Sequence, residues 1–280
     1  MQSIITLVLA ALLGVGLAGD RLRDELVARL RREVGSSGAL DVTVEPAAEP
    51  RGLGSLGRVS ASVDQVDARQ LPLAALVPVP QPRGLVGRID SIELAATRVA
   101  LDTLHASEVR FEAADIRYDL VRALGSGELR VTGLGQQRLT VGLRDGDLDE
   151  HALHAYPELQ NTRITFESGR VVARASVAVI FAAFPIEISG TLAVEDGRRV
   201  LLQDAEIKTG RLELSDELRA SILERLDPLI DLEETFDFPV PLRWESVAIS
   251  DGRAEVTGVL ETPAVPRVEP RFQPRERYLR

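Results

Sequence analysis

The sequence predicts an α+β fold in which a curved, largely antiparallel sheet wraps around one or two amphipathic helices. Three observations predict this fold. Apolar and polar residues alternate over most of residues 42–256, Ser-Gly and Asp-Gly pairs separate alternating stretches, and only two stretches within this region have a helical period. Alternation gives each strand one apolar face, and such pairs suit tight hairpins. A sheet with one apolar face must cover it by curling or by packing against another element.

An apolar segment opens the chain. Residues 1–19, MQSIITLVLAALLGVGLAG, carry no charged side chain, and as a helix they would span roughly 28 Å, close to the hydrocarbon thickness of a bilayer. This predicts a membrane-targeting helix. No basic residue precedes the apolar run, and arginines follow it, so a cleaved signal peptide and a retained anchor both stay open. Residues 20–34 then predict an amphipathic helix, because leucines recur every four residues until Gly35.

Half-buried strands are predicted wherever the apolar period is two. They lie at Val42/Val44, Val59–Val63, Ile92–Ala96, Val109–Ala113, Leu129–Val131, Leu139–Leu143, Ile164–Phe166, Val171–Phe181, Ile186–Val194, Val200–Leu202, Ala205–Ile207, Val247–Ile249 and Ala254–Val256. Between Ala113 and Ile116 the alternation slips by one residue, which predicts a β-bulge or a bend. Tight hairpin turns are predicted at Ser168-Gly169, Asp196-Gly197 and Asp251-Gly252.

Two helices are predicted among the strands. A short one begins near Asp147 and ends at Pro157. A longer one begins at Ser215, is bent or ended by Pro228, and carries Leu218, Ile222, Leu226 and Leu229 on one face. The prolines of LPLAALVPVPQPRG, residues 71–84, predict a loop and an opening between strands.

The composition excludes several function classes. The 280 residues contain no cysteine, which removes disulfides and thiolate sites, and the net charge of −10 disfavours nucleic-acid binding. His151 and His154 are three residues apart on the short helix, but no third metal ligand follows at a recognisable spacing. No GxSxG motif and no glycine-rich nucleotide loop occur, and the carboxylates of DLEETFDF are interpreted as a polar rim. We therefore predict no catalytic residue and no cofactor.

One stretch has apolar residues on both faces of its predicted strand. In VVARASVAVIFAAFPIEIS, the alternation is lost around Ala178 over VAVIFAAF. Such a strand is either buried on both sides or borders a cavity that an apolar ligand fills. The sequence leaves these two interpretations open.

The chain closes with a segment rich in proline and arginine. From Glu261 onward, ETPAVPRVEPRFQPRERYLR cannot propagate a helix or a central strand. We expect an extended tail over 261–280 that is either solvated or a basic contact for lipid headgroups or a partner.

The order of these segments resembles the LmeA-like family of bacterial envelope proteins, which bind phospholipid and are similar in architecture to tubular lipid-binding (TULIP) domains. The resemblance covers about residues 20–260. It rests on DRLRDELVARLRREVG, LGSLGRVSASVDQVDARQLPLAAL, DLDEHALHAY, FPIEISGTLAVEDG, LSDELRASILERLDPLIDL and VAISDGRAEVTGVL. It implies an extracytoplasmic protein that holds lipid in an apolar groove and has no catalytic residues to carry over.

The leading hypothesis is therefore a non-enzymatic protein of the cell envelope or periplasm that binds phospholipid or another acyl lipid at a membrane surface. The lipid would lie between the sheet and the Ser215–Leu229 helix. The candidate lining residues are Val177, Val179, Phe181, Phe184, Ile186, Ile188, Leu218, Ile222 and Leu226. The alternative is a structural or protein-interaction protein with a fully packed core and no ligand.

Overall fold

The computed structural model describes residues 40–47, 55–79, 84–101, 104–126, 130–157, 159–179, 182–210, 215–227 and 229–261. The apolar segment 1–19, the helix expected over 20–34 and all of the tail after Glu261 lie outside these ranges, so those expectations stay predictions. None of the helices in the described ranges has the length and hydropathy that a bilayer-spanning helix needs.

Strands dominate the described residues, and the helices are short. In chain order the elements are β1 (Leu40–Pro46), β2 (Ser55–Asp67), β3 (Val86–Leu101), β4 (Leu104–Asp119), α1 (Leu120–Ser126), β5 (Val131–Gly133), β6 (Gln137–Arg144), α2 (Asp149–Ala155), β7 (Leu159–Glu167), β8 (Arg170–Val179), β9 (Ala182–Glu195), β10 (Arg199–Thr209), α3 (Asp216–Arg225), β11 (Ile230–Asp231), α4 (Leu232–Phe236), β12 (Leu242–Ser250) and β13 (Arg253–Leu260).

These strands form two sheets. The large sheet has the order β1-β2-β3-β4-β6-β13-β12, with β5 paired to the end of β4, and the small sheet has the order β11-β10-β9-β8-β7. The β2–β3 pair is parallel and the other described pairs are antiparallel. The large sheet curls into a half-barrel. The prediction of a curved, largely antiparallel α+β fold is therefore confirmed.

The turn chemistry explains much of this strand order. Ser168, Asp196 and their following glycines all have positive φ, as does Gly252, so the three predicted hairpin turns are formed where this conformation is needed. The slip in alternation is also confirmed. In β4 the buried set passes from Ala113 to Ile116 across Asp115, whose φ is 54°.

The interior of the large sheet is filled by its own side chains and by two short 3₁₀ turns. Ile89, Ile116 and Leu139 have no exposed surface. The turns Ala68–Gln70 and Pro72–Leu76 bury Leu73 and Leu76 against the same core. The opening predicted at this proline-containing segment is therefore wrong over its described part, because leucines between the prolines close it.

The segment DLEETFDF contains helix α4 and combines exposed carboxylates with a buried aromatic ring. The Asp231 carboxylate caps the helix by accepting hydrogen bonds from the backbone N–H groups of Glu233 and Glu234, at 3.0 and 3.2 Å. The buried Phe236 ring then packs edge-on against Trp244, with ring centroids 5.1 Å apart. Glu233, Glu234 and Asp237 are exposed, as a polar rim requires, whereas Phe236 is part of the core.

Two Asp-Gly turns join the large sheet to the outer edge of β7. The carboxylates of Asp149, Asp145 and Asp251 accept hydrogen bonds from the backbone N–H groups of Ile164, Phe166 and Ser168, at 2.7, 2.8 and 2.8 Å. In return, the Gly146 and Gly252 N–H groups donate to the carbonyls of Ile164 and Phe166, at 3.2 and 2.8 Å. These contacts satisfy backbone groups on an edge strand and fix the small sheet beside the large one.

Candidate functional site

An apolar cavity of about 70 Å³ lies against one face of the small sheet. Strands β7, β8, β9 and β10 form its floor, while α2 and the segment that follows α3 cover it. Its lining residues are Leu148, His151, Ala152, Tyr156, Leu159, Thr162, Ile164, Val171, Ala173, Ala175, Ile186, Ile188, Leu202, Leu226, Leu229 and Ile230. Aliphatic side chains therefore make up nearly all of the wall.

The floor is hollow because its middle strand has short side chains. In β8, Ala173 pairs with Ile164 on one side and Ile188 on the other, and Ala175 pairs with Ile186. These residues share one face of the sheet, where an alanine methyl group stands beside longer isoleucine side chains. The difference in length leaves a depression along β8 that the neighbouring strands wall in.

The roof comes from α2 and from the residues around β11. Leu148, Ala152 and Tyr156 recur every four residues, so they lie on the α2 face that meets the cavity. Leu226 and Leu229 cover the opposite side. The predicted second helix ends at Arg225 rather than near Pro228, and Leu226 follows it in a turn. Pro228 disfavours helical geometry in the residue before it, so the helix ends early. Leu226 and Leu229, the last leucines of the predicted face, therefore lie outside it.

One polar atom in the wall lacks a hydrogen bond. Thr162 is 8% exposed, and its Oγ1 is buried without a partner. The β7–β8 register shifts between Gln160 and Arg163, with Asn161 at φ 53°, and this bulge turns Thr162 toward the cavity. A buried hydroxyl without a partner destabilises the empty protein, because it has lost its contact with water.

Helix α2 brings one titratable group to the cavity. Burial, and to a smaller extent the neighbouring His154, lowers the pKa of His151. The apolar surrounding therefore favours the neutral imidazole over the charged one. His151 lines the cavity whereas His154 is exposed. In the described ranges no three His, Asp or Glu side chains are grouped so that they could hold a metal ion.

The structure brings four of the nine predicted lining residues together. Ile186, Ile188 and Leu226 line the cavity, and Ile222 of α3 packs against the same small cluster of buried side chains. Phe184 is half-buried in β9 and is not part of the lining.

The other four predicted lining residues cannot be assigned to the wall. Val177 and Val179 lie in β8 and Leu218 in α3, but their side chains are outside the description, and Phe181 lies outside the described residues altogether. The sequence VAVIFAAF is not one strand with two apolar faces. Val179 pairs with Ala182, so the stretch forms the end of the β8–β9 hairpin.

The sequence prediction missed the contribution of α2. Leu148, Ala152 and Tyr156 form half of the roof, and their spacing of four residues in DLDEHALHAY was a readable signal. The histidines drew attention to metal chemistry instead. The hollow at Ala173 and Ala175 was not readable, because it depends on which residues the register places beside them.

Comparison with known proteins places this architecture in a family. No curated protein and no solved structure matches the chain. Residues 57–259 match the model of the LmeA-like phospholipid-binding family. The match runs from β2 to β13, so it includes the small sheet, the large sheet apart from β1, and all residues of the cavity. The chain therefore belongs to the LmeA-like phospholipid-binding family.

Proposed function

We propose that this protein binds and carries phospholipid or another acyl lipid in the cell envelope, at a membrane surface and without catalysing a reaction. The lipid chain enters the cavity between the small sheet, α2 and the residues that follow α3. The observation that carries this proposal is the hollow at Ala173 and Ala175, enclosed by aliphatic side chains. Burial of apolar area, at roughly 25 cal/mol per Å², supplies the affinity, so binding depends on the chain more than on the headgroup.

The cavity must widen to take up an acyl chain. Its volume of about 70 Å³ corresponds to roughly two water molecules, at about 30 Å³ each, and ligand pockets begin near 300 Å³. Binding therefore displaces a covering element while the floor stays in place. Ile222 and Leu226, which cover the small sheet, are the residues whose contacts a chain would replace.

The alternative is a protein-interaction role with a filled core. The tight packing inside the large sheet is compatible with it, since Ile89, Ile116 and Leu139 are fully buried. The small sheet favours lipid binding instead, because an evolved scaffold that needed no ligand would gain stability by filling this void.

Native mass spectrometry of the full-length protein purified from membranes tests the proposal. We expect phospholipid bound to the wild-type chain and a large loss of bound lipid in Ala175→Leu, whose side chain occupies the floor of the cavity. Ala193→Leu is the matched control. Ala193 is half-buried in β9 on the other face of the same sheet, opposite Leu201, and should leave lipid occupancy unchanged.

Two results would contradict the proposal. One is wild-type protein with the same mass before and after delipidation. The other is equal lipid occupancy in wild type and in a folded Ala175→Leu protein, which would place the lipid elsewhere.

A further inference from the structure

Exposed apolar side chains converge at one end of the large sheet. Five large apolar residues are exposed in the described ranges, and four of them, Val79, Leu85, Val86 and Val121, lie together there. The fifth, Leu153, is on α2. Leu85, Val86 and Val121 are each more than half exposed. Single exposed apolar residues are common on protein surfaces, but a cluster of them marks an interaction site.

Backbone hydrogen bonds connect the segments that carry these residues. The Leu120 N–H donates to the Leu85 carbonyl and the Val79 N–H to the Val131 carbonyl, each at 2.9 Å. Val86 pairs with Asp119 across the β3–β4 ladder, directly before α1. We call the surface formed by Val79, Leu85, Val86 and Val121 the tip. Val86 lies in β3 and Val121 in α1, and backbone hydrogen bonds join Val79 and Leu85 to β5 and α1, so the apolar patch exists before any partner binds.

The charges around the tip are opposite in sign to those of the whole chain. Segments 79–87 and 117–131 contain four arginines and two carboxylates, in a chain whose net charge is −10. Arg117 and Arg122 are exposed. Asp119 is 5% exposed, and its carboxylate accepts a hydrogen bond from the Arg122 backbone N–H at 3.1 Å and forms an ion pair with the Arg122 guanidinium, with Nε and Oδ2 3.8 Å apart. Arg117 therefore places an exposed positive charge beside the apolar patch, and Arg122 lies there with its charge shared with Asp119.

We propose that the tip docks on the surface of an anionic bilayer, with its valines and Leu85 in the interface and its arginines at the lipid phosphates. Apolar side chains rimmed by arginine have the composition that interfacial membrane contacts require. Each arginine near an anionic surface strengthens binding about five-fold. This inference rests on the part of the proposed function that places the protein at a membrane surface.

The tip and the cavity lie toward opposite ends of β4. β6 pairs with β4 from Ala113 back to Glu108 and then leads into the turn before α2, whereas Val86 of the tip pairs with Asp119 at the other end of β4. From Glu108 to Asp119 the strand rises at most about 36 Å. Docking through the tip therefore leaves the roof of the cavity free to open.

The absence of cysteine allows a site-specific test. Val121→Cys in the full-length chain would carry one environment-sensitive fluorophore on the tip, and Leu153→Cys would carry the matched control on α2. Both proteins are mixed with vesicles of phosphatidylcholine alone and of phosphatidylcholine with phosphatidylglycerol. We expect a blue shift of the fluorescence at position 121 with the anionic vesicles only, and no shift at position 153. The affinity for these vesicles, taken from the shift as a function of lipid concentration, should fall about five-fold in Arg117→Gln and should also fall with added salt.

Three results would overturn the proposal: no shift at position 121 with either vesicle, equal shifts at positions 121 and 153, or a shift that follows protein concentration without vesicles. The last would identify the tip as a protein-binding surface. Flotation of the unlabelled wild-type chain with the same vesicles, and its phospholipid occupancy by native mass spectrometry, are measured separately. If position 121 shows no shift but the chain still floats with the vesicles or carries phospholipid, the docking proposal is wrong and the proposed function is unaffected.

Discussion

Replacing Ala175 by valine should stabilise the lipid-free protein, because the added methyl groups enter an existing void. Ala175 is 9% exposed and lines the cavity of about 70 Å³. Empty cavity volume costs about 24 cal/mol per Å³, so complete filling would add about 1.7 kcal/mol to the free energy of unfolding. Valine fills only part of the void and suits a strand, so we expect a gain of about 1 kcal/mol.

Urea unfolding of delipidated protein, followed by circular dichroism, measures this gain as a higher midpoint at an unchanged slope. Ala193→Val is the control, since it adds the same groups to the other face of the small sheet and should change stability by less than about 0.5 kcal/mol. If Ala175→Val lowers the stability by 1 kcal/mol or more while the control is neutral, the floor is already packed. The cavity could not then receive an acyl chain as proposed.

Four further changes test other parts of the structure. Gly87→Ala should destabilise the protein by about 1–3 kcal/mol, because a Cβ there would overlap the buried Tyr118 ring, and thermal unfolding would reveal an error if the variant were neutral. Burial raises the pKa of Tyr118 from 10.0 to about 12, so the folded state keeps a proton that the unfolded state loses. The contribution of Tyr118 to the free energy of unfolding should therefore be fully present below pH 10 and fall by about 3 kcal/mol as the pH rises to 12. Tyr118→Phe should remove most of that fall. Because the pKa of His151 is lowered from 6.5, stability should fall as the pH drops below 6.5, and a His151→Gln variant with the same acid profile as wild type would contradict this cause. Thr162→Val should raise the stability of delipidated protein by about 1 kcal/mol, since it removes a buried hydroxyl without a partner, and a loss in urea unfolding would mean that the hydroxyl is satisfied.

Local patterns sufficed to predict the strands, apart from the two-residue β11, and most of their turns. Alternation depends only on residues two apart, and the hairpins at Ser168-Gly169 and Asp196-Gly197 use residues that tolerate positive φ. The same reasoning failed at VAVIFAAF, where the β8–β9 connection has no glycine or proline to mark it. An apolar run with no turn residue reads as a continuous strand, although Val179 already pairs with Ala182.

The candidate site was only partly predictable because it depends on contacts between distant segments. Ile186 and Ile188 could be proposed from the alternation within β9. The hollow beside them needs the β8–β9 register, which places Ala173 and Ala175 next to those isoleucines. Nor could the sequence show that Leu226 would leave α3 and still meet the small sheet.

The attachment of β7 to the two Asp-Gly turns determines which part of the cavity roof could move away from the floor. Asp149, the first residue of α2, accepts a hydrogen bond from the Ile164 N–H in the cavity floor, so that end of the roof is fixed to the floor. On the other side, the Leu229 N–H donates to the Val200 carbonyl at 2.9 Å, which anchors the chain directly before β11. Residues 215–227, which include α3, have no such attachment among the described backbone hydrogen bonds. Those that they form stay within the segment itself. If the cavity receives an acyl chain as proposed, the chain enters from the side of α3 and displaces Ile222 and Leu226, while the aspartates hold the rest of the cavity wall in place.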